Sequence, residues 1–103
     1  MPTAERTLAN PHPAAEGHFP GNPVIPGAVL LAETLSAVSA GVGADLSGAR
    51  VRSAKFLAPA RPGDRLVIEY ERAAGGAIRF SCAAGGRAVL RGEVACDASP
   101  TPA

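Results

Sequence analysis

His18 sits in the segment Gly17-His18-Phe19-Pro20-Gly21-Asn22-Pro23-Val24-Ile25-Pro26-Gly27, and Gly27 opens a proline-free run rich in Ala and Leu. An imidazole exchanges a proton near neutral pH, and the prolines around it fix much of the local backbone. A helix beginning at Gly27 turns its uncommitted backbone N–H groups, and the positive end of its dipole, toward whatever lies near His18. A base and an oxyanion site thus stand nine residues apart. That pairing predicts an enzyme acting on a carbonyl compound.

The elements that must position these groups follow from pattern. Residues 27–41, GAVLLAETLSAVSAG, favour helix by composition. Apolar residues occupy nearly all of its faces, which predicts a buried helix, with Gly41 and Gly43 as the stop. The N-terminal segment holds one weak extended stretch at Arg6-Thr7-Leu8-Ala9, followed by Pro11 and Pro13. The rest reads as β. Arg50 to Leu57 is a strand ended by Pro59, and Pro62-Gly63-Asp64 is a turn. Leu66, Ile68 and Tyr70 then alternate on one face, as do Ile78, Phe80 and Cys82, and Leu90, Val94 and Cys96. Short Gly turns between such runs mean antiparallel hairpins. The expected architecture is α+β: an antiparallel sheet of four or five strands curled around one long helix. Its open edges leave two copies free to pair edge to edge. Residues 1–98 read as a single domain, with a disordered tail at 99–103.

Composition narrows the function classes. The chain has 103 residues, 47% of them hydrophobic but only 4% aromatic, so a core of small side chains favours self-association. Ten basic and nine acidic side chains leave a net charge of +1, which argues against nucleic-acid binding driven by bulk charge. Cys82 and Cys96 show neither CxxC nor metal-ligand spacing and read as small buried hydrophobes. The first residues carry no signal-peptide core, and the longest apolar stretch, broken by Glu33 and Thr34, is too short to span a bilayer. A soluble cytoplasmic protein with no membrane partner is the expectation. His12, which lacks any partner motif, reads as a solvated loop residue.

Two blocks carry a family likeness. HFPGNPVIPG followed by an apolar helix resembles the hotdog-fold 3-hydroxyacyl-[acyl-carrier-protein] dehydratases of fatty-acid synthesis. It is most similar to the short stand-alone type associated with aryl polyene and polyketide-like pigment pathways. The second block, Ala54-Lys55-Phe56-Leu57-Ala58-Pro59-Ala60-Arg61-Pro62-Gly63-Asp64-Arg65-Leu66, resembles that family's KF…P…PGD.L segment, in the same order and at a similar spacing. The resemblance implies a homodimer with active sites at the subunit interface. It implies His18 as base or acid on a 3-hydroxyacyl thioester carried by acyl carrier protein or CoA, giving the trans-2-enoyl product. Backbone N–H groups near Phe19 and Gly27 would polarise the thioester carbonyl, and an acid on the helix of the other subunit would complete the pair. Neither a metal nor a redox cofactor is implied; the substrate rides on phosphopantetheine.

One departure stands out. The family's acid falls five residues after the glycine, where this chain has Ala32, and Glu33 is the next residue. Neighbouring helix residues point about 100° apart at about 3.6 residues per turn, so Glu33 shares a face with Val29, Leu30 and Ala37. It reads equally as a catalytic carboxylate or as one satisfied by an arginine. Ser36, one turn beyond Ala32, could place a water near the site, and Arg61 and Arg65 could meet an acidic carrier or a phosphate. Small residues Ala28, Ala32 and Ala37 would leave room for an acyl tunnel. Three functions stay open: a dehydratase using His18 with Glu33 or a partner-chain carboxylate; a hotdog thioesterase in which Glu33 activates water; and a non-catalytic carrier-binding or heterodimer subunit that has lost its acid.

Overall fold

The computed structural model describes residues 2–10, 24–46 and 48–95. Within them the chain forms β1 (Thr3–Thr7), α1 (Gly27–Val42), β2 (Arg50–Phe56), β3 (Arg65–Arg72), β4 (Ala77–Ala84) and β5 (Arg87–Ala95). The strands make one antiparallel sheet in the order β1-β3-β4-β5-β2, so β1 and β2 are its edges. β4 and β5 are joined through Gly85 and Gly86, both at positive φ (59° and 82°). Glycine takes that conformation freely, and it suits the tightest hairpin turns.

The alternation read from the sequence decides which face is wet. Leu66, Ile68, Tyr70, Ile78, Phe80, Cys82, Leu90 and Val94 are all buried on the face that meets α1. The helix answers with Leu30, Thr34, Ala37 and Val38. Two sequence expectations need correcting here. The helix is not buried all round, because its outward line, Ala32, Ser36 and Ala40, is exposed in the single chain. Ala37 lies in the core, 4% exposed, and borders none of the clefts described below. The stripe is narrower than the composition suggested because α1 lies chiefly over β1 and β3, at one side of the sheet.

The N-terminal strand also begins earlier than expected, at Thr3 rather than near Arg6. Its register pairs Ala4 with Ile68 and Arg6 with Leu66, so both face the helix side, and Leu8 beyond them is fully buried. At the opposite edge β2 is exposed along its whole length. Val51 is paired with Val94 and Phe56 with Leu90, on the inner face, yet they remain 42% and 49% exposed. An apolar inner face left bare beside a packed core is an unfinished layer.

Candidate active site

Among the described residues no side chain caps the amino end of α1. Pro26 occupies the capping position, its carbonyl accepts from the N–H groups of Val29 and Leu30 at 3.0 Å, and no acidic residue stands in the first turn. Proline suits the entry to a helix because its fixed φ matches and it has no N–H to satisfy. The Ile25 N–H donates to the Ala60 carbonyl at 2.8 Å, and the Leu57 N–H donates to the Val89 carbonyl at 2.9 Å. The first bond ties the start of the helix to the segment that follows β2, and the second ties that segment to β5. Between them lies a cleft of ≈ 430 Å³ lined by Ile25, Gly27, Leu30, Phe56, Pro59 and Ala60. Gly27 stands at its wall, so the positive helix end opens onto an apolar slot. His18 and Phe19, the other two residues assigned to this chemistry from sequence, lie outside the described residues, as do His12 and Cys96.

Glu33 is held by an arginine that the sequence reading did not single out. Arg6 Nη1 donates to Glu33 Oε1 at 2.9 Å, and Arg6 Nη2 donates to Ser36 Oγ at 3.2 Å. The two side chains of the ion pair are 34% and 24% exposed, so the contact is only partly shielded from solvent. A signal for Arg6 was present: Ala4, Arg6 and Leu8 alternate, which places a cation in an inward register.

Ala32, where the resemblance expects an acid, borders two clefts. One, of ≈ 350 Å³, is lined by Arg6, Ala28, Val29, Ala32, Glu33 and Ser36. The other, of ≈ 490 Å³, runs from Ala32 past Leu35, Ser36 and Ser39 to Asp45, Leu46, Ala49 and Val51. The Leu46 N–H donates to Ser39 Oγ at 3.0 Å and folds the post-helix loop over its far end. Ala28 and Ala32 therefore do leave space beside the helix. Of the two arginines considered for an anionic partner, Arg65 pairs with Glu5 across the β1–β3 edge, with Nε 3.2 Å from the carboxylate. Arg61 gives its backbone N–H to Asp64 Oδ2 at 2.9 Å, closing the turn before β3. Among the described residues no three His, Cys, Asp or Glu side chains gather as metal ligands would, and no helix is long and apolar enough to cross a membrane.

One polar pair lies inside the core. Thr34 and Cys82 are both fully buried, and the Thr34 hydroxyl has no partner in hydrogen-bonding geometry. Burial is the larger influence on the Cys82 thiol and pushes it up from its ordinary value of 9.0. A thiol kept protonated in this way is packing material rather than a nucleophile.

The same layout recurs in known proteins. The sequence profile of the ApeI-like family, described as ApeI dehydratase, matches residues 2–93. The chain belongs to the ApeI-like dehydratase family. Among curated relatives of this ApeI-like chain, the 3-hydroxyacyl-[acyl-carrier-protein] dehydratase FabZ of Sodalis glossinidius is 32% identical over 93% of the chain and 68% of its own length. FabZ of Pectobacterium atrosepticum is 35% identical over the same shares. In three dimensions the dehydratase heterocomplex ApeI:P from Xenorhabdus doucetiae matches with a TM-score of 0.69 at 18% identity, over 90% of this chain and 83% of that one. A 1,4-dihydroxy-2-naphthoyl-CoA thioesterase from Synechocystis matches with a TM-score of 0.62 at 18% identity, over 97% and 88%. The fold is the hotdog fold, and dehydratases and thioesterases share it. The family match, not the fold, separates the two chemistries.

Proposed function

We propose that this ApeI-like chain removes water from a 3-hydroxyacyl thioester, carried on acyl carrier protein or CoA, to give the trans-2-enoyl thioester. The single observation that carries the reading is the helix end at Gly27, uncapped by any side chain among the described residues, opening onto an apolar cleft and joined in sequence to the HFPGNPVIPG block. Loss of the Cα proton requires donors for the enolate-like oxygen, and backbone N–H groups at the start of α1, with that of Phe19, serve that need. His18 is the proton-transfer group. The elimination is redox-neutral and needs no cofactor beyond the carrier's own phosphopantetheine. A cytoplasmic setting belongs to the same proposal.

Glu33 enters as the anchor of Arg6 in the cleft beside Ala32, and so acts on the reaction through a neighbour. The second subunit belongs on β2, whose outer edge pairs with no strand among the described residues and whose exposed Val51 and Phe56 ask for a covering layer. A homodimer satisfies this with interface sites. One observation favours a second reading, a heterodimer: Ala32 supplies no carboxyl, and a non-identical partner would bring its own.

The test is turnover of a 3-hydroxyacyl thioester by purified protein, His18→Ala protein, and a separation of the oligomer. Formation of the enoyl thioester that vanishes in His18→Ala supports the dehydratase reading. Equal turnover in that variant overturns it.

A further inference from the structure

Resting on the dehydratase reading, we infer that the Ser36 hydroxyl, backed by Arg6, is the group that meets the departing hydroxyl where relatives of this fold type would place an acid. Ser36 lies one turn beyond Ala32 on the same line of α1, and both residues border both clefts. With only a methyl at Ala32, the space between Ala28 and Ser36 is open to a substrate oxygen. An oxygen leaving carbon accumulates negative charge, so it needs donors. Glu33, an acceptor already engaged by a guanidinium, is the wrong polarity for that contact. Ser36 has the right polarity. Its Oγ accepts from Arg6 Nη2 at 3.2 Å, and because arginine only donates, that bond leaves the serine proton uncommitted. A charged donor behind a hydroxyl also strengthens the hydroxyl as a donor.

The step balances without a second acid. His18 of one subunit takes the Cα proton, the Cα–H electron pair becomes the C=C bond, and the Cβ–O bond breaks with its pair on oxygen. The imidazolium returns the proton to that oxygen, which departs as water. Ser36 donates a hydrogen bond to the oxygen throughout and is unchanged at the end. Arg6 is a positioning residue, fixed by Glu33 at 2.9 Å.

The experiment compares two substrates, a 3-hydroxyacyl thioester and the matching 3-chloroacyl thioester, whose leaving chloride needs no proton. Chloride is also a far weaker hydrogen-bond acceptor than a departing oxygen, so it has little use for the Ser36 donor. Both are given to the parent protein and to the Ser36→Ala, Ser36→Thr, Arg6→Met and Arg6→Lys variants, each corrected for spontaneous elimination. Ser36→Ala is expected to lower kcat on the hydroxyl substrate about 100-fold, the scale of losing one aimed donor, and to stay within about threefold of the parent on the chloride. Ser36→Thr and Arg6→Lys should recover most of the loss, and Arg6→Met should mimic Ser36→Ala with KM little changed. Equal losses on both substrates, or no loss on either, overturn the role of Ser36. Failure of the parent to eliminate from either substrate refutes the dehydratase reading instead, so the two failures are told apart.

Discussion

Phe56, the last residue of β2, lies directly against Gly27, the first residue of α1: a Cβ added to the glycine would stand 3.2 Å from the ring's Cε1 and Cζ. The strand that edges the sheet therefore sets the height of the helix end that faces the cleft. Gly27→Ala makes a graded test. Alanine favours helix over glycine by about 0.5–1 kcal/mol, which offsets the contact with a movable ring, so the melting temperature should shift by no more than a few degrees. The displaced N–H groups should still lower kcat about tenfold, a fraction of the loss caused by removing such a donor outright. Steady-state kinetics beside a thermal melt reads both, and an unchanged kcat would separate this helix end from the chemistry.

Ala32→Asp returns a carboxyl to the position that the family resemblance assigns to the acid. The site is exposed and borders open space on two sides, so the side chain fits without repacking. Dehydration should rise several-fold, read as enoyl formation at saturating substrate. A rate at or below that of the parent would show that the departing oxygen does not lie at this position.

Much of this could be read from residue order, and the parts that could not have a physical cause. Alternation at Leu66, Ile68 and Tyr70 and at Ile78, Phe80 and Cys82 foretold the buried face, because a strand sends neighbours to opposite sides. Pro26-Gly27 foretold the helix start. The extent of helix burial did not follow, since periodicity says which residues are apolar but not how far the sheet extends beyond the helix. The Arg6–Glu33 pair spans 27 positions in the chain. Its existence depends on β1 pairing with β3 under α1, a tertiary fact that no local pattern encodes.

Thr34→Val tests the buried polar pair. It keeps the shape and removes a hydroxyl with no hydrogen-bonded partner, so stability should rise by about 1 kcal/mol, measured as a urea midpoint. The neighbouring thiol adds a pH signature. Burial raises the Cys82 pKa in the folded chain above its ordinary 9.0, so the unfolded chain releases this proton first. Its contribution is constant at lower pH and is lost as pH climbs above about 9. Between roughly pH 8 and pH 10, the parent should lose more stability than Cys82→Ala does; parallel slopes would contradict the assignment.

Gly92→Ala should be the most damaging single methyl in the sheet. The new Cβ would lie 2.5 Å from the Ser53 carbonyl oxygen and 2.8 Å from Phe80 Cζ, with β2 backbone on one side and core on the other. The register between β2 and β5 already shifts between Val51 and Ser53, so the close approach is part of how the edge strand seats. Neither neighbour can yield cheaply, and a loss of about 3 kcal/mol is expected, checked by denaturant titration. A loss below about 1 kcal/mol would mean that the bulge can relax.

The bare inner face of β2 has a consequence for how this protein behaves on dilution. Phe56 belongs both to the exposed surface proposed for the second subunit and to the packing of the helix end at Gly27. On the proposed pairing, separation of subunits would wet the ring that supports the cleft, so assembly, folding and turnover draw on one shared equilibrium. Specific activity per chain would then fall as total protein is lowered, and the melting midpoint would climb with concentration, by mass action rather than by any change in covalent structure.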